Sequence, residues 1–164
     1  MSQITVIYGS TTGTTQSAAM LIAGNLKARC VDIASASAED FQAPVLILGT
    51  STWGFGELQD DWLAKLPLLE SAELSNTKTA FFGFGDQFGF ADTFCDGIAL
   101  LCEAALAKGA VLIGKTSTEG YDHSVSRAEK DGEFCGLLLD DSNQPELTEN
   151  RIKAWTEQLL KEIA

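Results

Sequence analysis

Two hydrophobic periods alternate along this chain, and that alternation restricts the fold more than any other feature. Short apolar, β-branched runs occur at residues 3–8 (QITVIY), 45–49 (VLILG), 79–84 (TAFFGF), 110–114 (AVLIG) and 136–139 (GLLL), with a weaker one at 30–34 (CVDIA). Such runs read as buried strands. Between them come segments with a helical stripe. Residues 13–28 place Ala18, Leu21, Ile22 and Leu26 on one face. A short helix over Asp60–Leu66 is expected to stop at Pro67. Asp92 is expected to cap a helix that turns Phe94, Ile98, Leu101, Cys102 and Ala105 inward and ends at Gly109. Thr148 is expected to cap a last helix that buries Ile152, Trp155, Leu159 and Ile163.

Continuous apolar strands alternating with helices belong inside a parallel sheet covered on both faces. The expected fold is α/β: a doubly wound five-stranded parallel sheet of order 2-1-3-4-5, with helices on both faces. About 20 polar residues separate 110–114 from 136–139, so strand five is expected to be interrupted by a long insertion. No linker or repeat divides the chain, and residues 1–164 are expected to form a single domain.

Eleven Lys and Arg against 23 Asp and Glu give a formal charge of −12. That balance excludes nucleic acid and anionic membrane surfaces as partners and favours a basic protein. No apolar run approaches the length of a membrane span, and no signal segment precedes the first strand-like run. Cys30, Cys95, Cys102 and Cys135 have irregular spacing without a C-x-x-C, so free thiols in a reducing cytoplasm are expected, serving as small packing groups. His123, alone of its kind, is expected to be a solvated loop residue without chemistry.

In doubly wound sheets ligands bind beyond the carboxyl ends of the strands. The loop after strand one, GSTTGTTQ (residues 9–16), offers the hydroxyls of Ser10, Thr11, Thr12, Thr14 and Thr15 around Gly13 at the start of a helix. Unpaired N–H groups and the positive helix end suit a phosphate. The loop lacks the Lys of a nucleoside-triphosphate P-loop, so the anion would be held by hydrogen bonds and dipoles alone. The loop after strand three, TSTWGFGELQDDW (50–62), sets Trp53 after a buried strand with Gly54 and Gly56 around Phe55. The loop after strand four, GFGDQFGFAD (83–92), again mixes glycines with Phe88 and Phe90, at a spacing that is not G-x-G-x-x-G. A phosphate cradle beside two aromatic walls fits a mononucleotide with a flat heterocycle.

These motifs, with the late NQPELTENRIKAW, resemble the long-chain flavodoxin family in order from about residue 3 to 162. The stretch T-W-G-x-G-E-L followed by G-D-Q carries most of the specificity, and the insertion in strand five is what separates long-chain from short-chain members. The resemblance implies tightly bound FMN and a low-potential one-electron carrier that is not an enzyme. It shuttles electrons between proteins through the quinone, semiquinone and hydroquinone states. Ser10, Thr11, Thr12, Gly13, Thr14 and Thr15 would hold the phosphate. Ser51, Thr52, Trp53, Gly54, Phe55 and Gly56 would line one side of the isoalloxazine, Trp53 covering its inner face. Phe84, Gly85, Asp86, Gln87, Phe90 and Asp92 would form the other side, with Gly85, Asp86 and Gln87 at the pyrimidine edge. Phe90 stands where the family usually carries Tyr, so the stacking ring lacks its hydroxyl. Gly54 occupies the position whose carbonyl turns toward the semiquinone N5–H, and glycine permits both peptide orientations.

Charge adds to this reading. Between Glu57 and Glu103 there are nine acids against Lys65 and Lys78. Such a field disfavours an anionic hydroquinone and steers basic redox proteins, such as a ferredoxin/flavodoxin–NADP reductase or a low-potential acceptor enzyme, to the flavin edge. A cytoplasmic monomer is expected. Two alternatives stand beside it. An FMN-dependent NAD(P)H:quinone oxidoreductase needs room for nicotinamide, which Trp53 and Phe90 would close. A flavin-free phosphoacceptor domain needs acids after strand one, and GSTTGTTQ has none.

Overall fold

The computed structural model describes residues 3–164, so residues 1 and 2 of the expected single domain lie outside the described residues. In chain order the elements begin with β1 (Ile4–Tyr8), α1 (Thr14–Leu26), β2 (Arg29–Asp32), β3 (Val45–Trp53), β4 (Glu57–Leu58) and α2 (Asp60–Glu70). There follow β5 (Lys78–Phe84), α3 (Asp96–Leu106), β6 (Val111–Leu112), β7 (Thr116–Ser117), β8 (Glu129–Lys130) and β9 (Glu133–Phe134). The chain closes with β10 (Leu137–Leu139) and α4 (Thr148–Ile163).

The main sheet runs β2-β1-β3-β5, all parallel, and two short strands share the outer edge of β5. β6 pairs with Lys78 and Thr79, and β10 pairs with Phe82 to Phe84. This is the expected doubly wound order with its fifth strand broken in two. The residues between the halves form a separate antiparallel sheet, β7-β9-β8.

Strand alternation sends side chains to two cores. Val6, Ile47, Phe82 and Leu139 pack under α1 and α4, with Ile22, Ile152, Trp155 and Leu159. Ile7, Leu46, Leu48, Phe81 and Leu138 pack under α2 and α3, with Trp62, Phe94, Ile98 and Leu101. Each fully buried side chain of this size contributes about 1.5–3 kcal/mol. Gly49 is small because Phe82 needs the room: a Cβ there would sit 2.1 Å from the ring. Among the described residues no helix is long and apolar enough to cross a membrane.

Several expectations are corrected. α2 does not stop at Pro67 but continues to Glu70. A proline inside a helix costs about 3 kcal/mol, and burying Leu69 fully and Leu66 and Leu68 in part offsets it. Asp92 caps no helix. It is exposed, and α3 starts only after Cys95, whose φ is 54°. Residues 86–96 instead fold into consecutive turns, with Phe90 N donating to Asp86 O, Thr93 N to Phe90 O and Asp96 N to Thr93 O. The other end of α3 closes as expected on Gly109, with φ 90° and bonds from Gly109 N to Leu106 O and Ala110 N to Ala105 O. Thr148 is the first residue of α4 and not its cap, because its hydroxyl is spent on the Asp141 carboxylate.

The thiols Cys95 and Cys102 are buried beside Ile98 and Leu101, while Cys30 is exposed on the edge strand β2 and Cys135 is half-buried. His123 is not solvated: its side chain is 6% exposed. It packs against Phe94 and Phe134 at 5.2 and 5.4 Å between ring centroids, and Nε2 meets the Glu129 carboxylate at 2.6 Å. No periodicity marks this aromatic cluster in the sequence, because its rings come from α3's approach, the insertion and β9.

Candidate functional site

β1, β3, β5 and β10 end at the same side of the sheet, and the loops that leave them enclose a cleft of about 290 Å³. Its walls combine hydroxyls from Thr12, Thr14, Ser51 and Thr52 with the aromatic faces of Trp53, Phe84 and Phe90. Gly54, Gly85 and Asp86 complete the part expected from sequence.

The first loop is held from behind. The Gly49 carbonyl accepts from Gly9 N at 3.0 Å and from the fully buried Trp62 indole at 2.7 Å, which ties the end of β1 to β3 and α2. Gly9 has no space for a side chain, since a Cβ would lie 2.3 Å from Gln59 Oε1. Gln59, itself buried, caps α2 through Oε1 and donates from Nε2 to Thr11 Oγ1 at 3.2 Å. Ser10 Oγ accepts from Gly13 N, closing the turn. Gly13 takes φ 96° and leaves the start of α1 without a side-chain cap. The first-turn N–H groups of α1 therefore lack a side-chain acceptor. Thr15 lies in that first turn, fully buried, and its hydroxyl has no hydrogen-bond partner among the described residues. Buried hydroxyls are rarely left so.

The second loop is a hairpin. β3 runs past the expected 45–49 to Trp53 because Thr52 and Trp53 pair with Leu58 and Glu57 of β4. Gly54 and Gly56 turn the tip with φ 52° and 88°. A Cβ on Gly56 would come within 2.8 Å of Asp96 Oδ2. Phe55 projects from the tip, 90% exposed. Trp53 is half-exposed, and its indole N–H donates to Ser51 Oγ at 2.7 Å. Thr52 Oγ1 accepts from Gly97 N, joining the hairpin to α3.

The third loop is shaped by Asp86. Its Oδ1 accepts from Gly89 N at 2.7 Å, Phe88 N at 3.1 Å and Asn143 Nδ2 at 2.7 Å. These donors, led by the Gly89 amide, hold its carboxyl below the usual carboxylate range. Gln87 is fully buried and faces away from the cleft: its amide N and Nε2 donate to Asp140 Oδ2, and its Oε1 accepts from Asp122 N. Gly85 leaves room for Cys95, whose Sγ would be 2.8 Å from a Cβ there. Burial pushes the Cys95 thiol well up. It also raises the Asp96 carboxyl, although Arg127 N donates to it.

The structure thus brings ten of the expected residues to the cleft wall and distributes the rest around it. Ser10, Thr11 and Thr15 brace or back the first loop, and Gly13 faces an adjoining groove with Thr12 and Thr14. Phe55, Gly56, Gln87 and Asp92 do not line the cleft. Four lining residues were not among the expected site residues: Thr93, Cys95, Asp141 and Ser142. Asp141 and Ser142 lie just beyond the end of β10, after Asp140, so the carboxyl-end rule applied to strand five points to them.

The family model for flavodoxin matches residues 6–155. A flavodoxin of Trichodesmium erythraeum is 45% identical, over 99% of this chain and 99% of the relative, and one of Synechocystis is 42% identical over 97% and 96%. The crystal structure of Fusobacterium nucleatum flavodoxin bound to flavin mononucleotide superposes with a TM-score of 0.93 at 33% identity, covering 99% of both chains. With this fold, these loops and these relatives, the chain belongs to the flavodoxin family.

Proposed function

We propose that the chain holds FMN in the cleft and carries single electrons between proteins at low potential. The observation that carries this is the unpartnered, buried Thr15 hydroxyl beneath the uncapped start of α1. A phosphate supplies the acceptors that this turn lacks, and the first loop brings no Lys or Arg that would favour a longer polyphosphate. The aromatic walls of this cleft of about 290 Å³ fit the flat ring system of FMN.

Bound FMN supplies the one-electron chemistry. The protein's part is to bind, orient and exclude water. Ser10 to Thr15 hold the phosphate. Trp53 and Phe90 cover the ring faces, and Ser51 keeps the indole turned by accepting its N–H. Gly85 and Asp86 present main-chain groups to the pyrimidine edge, on a loop that Asp86 and Gln87 fix. Gly54 supplies a peptide free to turn. The acids at Glu57, Asp60, Asp61, Asp86 and Asp92 disfavour added negative charge in the cleft.

The broken fifth strand with its 113–136 insertion supports assignment to the long-chain subtype. The charge of −12 supports basic-faced redox partners, of the ferredoxin/flavodoxin–NADP reductase or low-potential acceptor kind. Four free thiols support a reducing cytoplasm, and the protein acts as a monomer and a single domain. The test is direct. The purified protein is yellow, acid releases one FMN identified by mass, and a reductive titration resolves two one-electron couples. A colourless protein that takes up no added FMN overturns the reading.

A further inference from the structure

Two thiols from distant parts of the chain meet beside a groove that the proposed electron carrier does not use. Cys102 lies on α3, and Cys135 lies between β9 and β10, where its amide donates to Ala128 O at 2.8 Å. Each of these thiols shifts the titration of the other. Both open on a groove of about 600 Å³ that Leu112, Lys115, Arg127 and Phe134 also line. We propose that Cys102 and Cys135 form a reversible dithiol–disulfide site, oxidised by small-molecule disulfides that enter this groove, which staples the insertion to α3.

The roles of the two sulfurs follow from their surroundings. A thiolate is the nucleophile in exchange. The neighbouring Cys135 holds Cys102 below the ordinary thiol range, and Lys115 acts in the same direction. Cys102, together with burial, drives Cys135 upward. Cys102 therefore attacks first. Its sulfur bonds to one sulfur of the incoming disulfide, whose S–S bond breaks and releases one thiolate. Cys135 then loses its proton and attacks Cys102 Sγ, displacing the second thiolate. The protons of the two protein thiols end on the two released small thiols. The protein pair is oxidised by two electrons and the reagent is reduced by two.

The staple has a structural consequence. α3 carries Asp96 and Gly97, which bond to Arg127 N and Thr52 Oγ1, so it already links the insertion to the hairpin of the cleft. A covalent bond from Cys102 to Cys135 fixes the same link at its other end and closes a long loop in the unfolded chain, which raises stability.

The experiment uses the full chain with Cys30→Ser, because exposed Cys30 would otherwise react and cross-link molecules. The folded protein is incubated with glutathione disulfide, then alkylated, digested and mapped. Two of the three remaining thiols are lost, one peptide pair joins Cys102 to Cys135, and dithiothreitol restores both. The oxidised form unfolds at a higher urea concentration than the reduced form. Adding Cys135→Ser leaves Cys102 as a stable mixed disulfide with glutathione. If that variant does not fold, the peptide map of the Cys30→Ser protein decides alone. No thiol loss in the folded protein, a link through Cys95, or glutathione adducts without an internal bond overturns the proposal. None of these readouts depends on FMN.

Discussion

Gln87 Nε2 and Asp140 Oδ2 lie 2.9 Å apart with both side chains fully buried, and they join the third loop of the cleft to the end of β10. Asn143 donates to the same Asp140 oxygen and to Asp86, while Asp122 N donates to Gln87 Oε1. One polar network thus fixes the loop, the insertion and the segment after β10 together. Replacing Gln87 by Leu keeps the volume but removes one donor from the buried Asp140 carboxylate and the acceptor of the Asp122 amide. We expect a loss of about 3 kcal/mol in urea unfolding. FMN release should also quicken. Unchanged stability would show that water replaces the lost donors.

Gly54 sits at φ 52° with only the Glu57 side chain near its absent Cβ. Space is available there, so backbone conformation is the limiting factor. A β-branched residue resists this left-handed region. Gly54→Val should leave the fold intact and make the first one-electron potential more negative, as measured by reductive titration. A first couple equal to wild type would remove Gly54 from redox tuning.

Phe90 lies on the cleft wall and is 49% exposed, so the site is open enough for a ring one hydroxyl larger. Phe90→Tyr should change stability by less than about 0.5 kcal/mol. The more electron-rich ring stacks better on an electron-poor heterocycle. Fluorescence titration of the apoprotein should show tighter FMN binding, and a weaker complex would argue that the ring at this position does not stack.

Asp86 gives the cleft a dependence on pH. Its folded carboxyl titrates below the ordinary value of 3.8, chiefly because the Gly89 amide donates to it. A lowered carboxylate stabilises the fold above its unfolded value, and the contribution disappears as pH falls through the folded value. The stability difference between wild type and Asp86→Asn should therefore be constant above about pH 5 and shrink at lower pH. Asp96, raised by burial, works in the opposite direction, so the pairwise comparison and not the whole acid profile is the measurement.

The acids between Glu57 and Glu103 should steer a basic acceptor. Second-order transfer to such a protein, followed by stopped flow, should slow as salt rises toward physiological strength. Neutralising Glu57 and Asp60 with Gln and Asn should flatten that dependence and raise the second one-electron potential. Salt-independent transfer would assign docking to the exposed rings of Phe55 and Phe88.

The strands of the main parallel sheet, their order and the three loops around the cleft were legible in the sequence because each rests on local pattern: apolar runs, glycine spacing, hydroxyls at a helix start. Pro67 and Asp92 misled because tertiary contacts outweighed local preference, the burial of Leu69 in one case and the Asp86-centred turns in the other. The bracing role of Gln59 and the buried network of Gln87, which the sequence places at the pyrimidine edge, carry no local signal. Their roles arise from partners such as Thr11 and Asp140 that come close only after folding. His123 was misjudged for the same reason, since its aromatic neighbours are assembled from three separate segments.

The division of the fifth strand also bears on how the molecule behaves in a crowd. A long, regular border strand is a template onto which other chains can add. Here one border of the sheet is two pieces of two and three residues, set at opposite ends of β5 with the small β7-β9-β8 sheet leaving the chain between them. An incoming strand finds no continuous ladder on that side. The insertion removes that border as a template simply by where it interrupts the backbone.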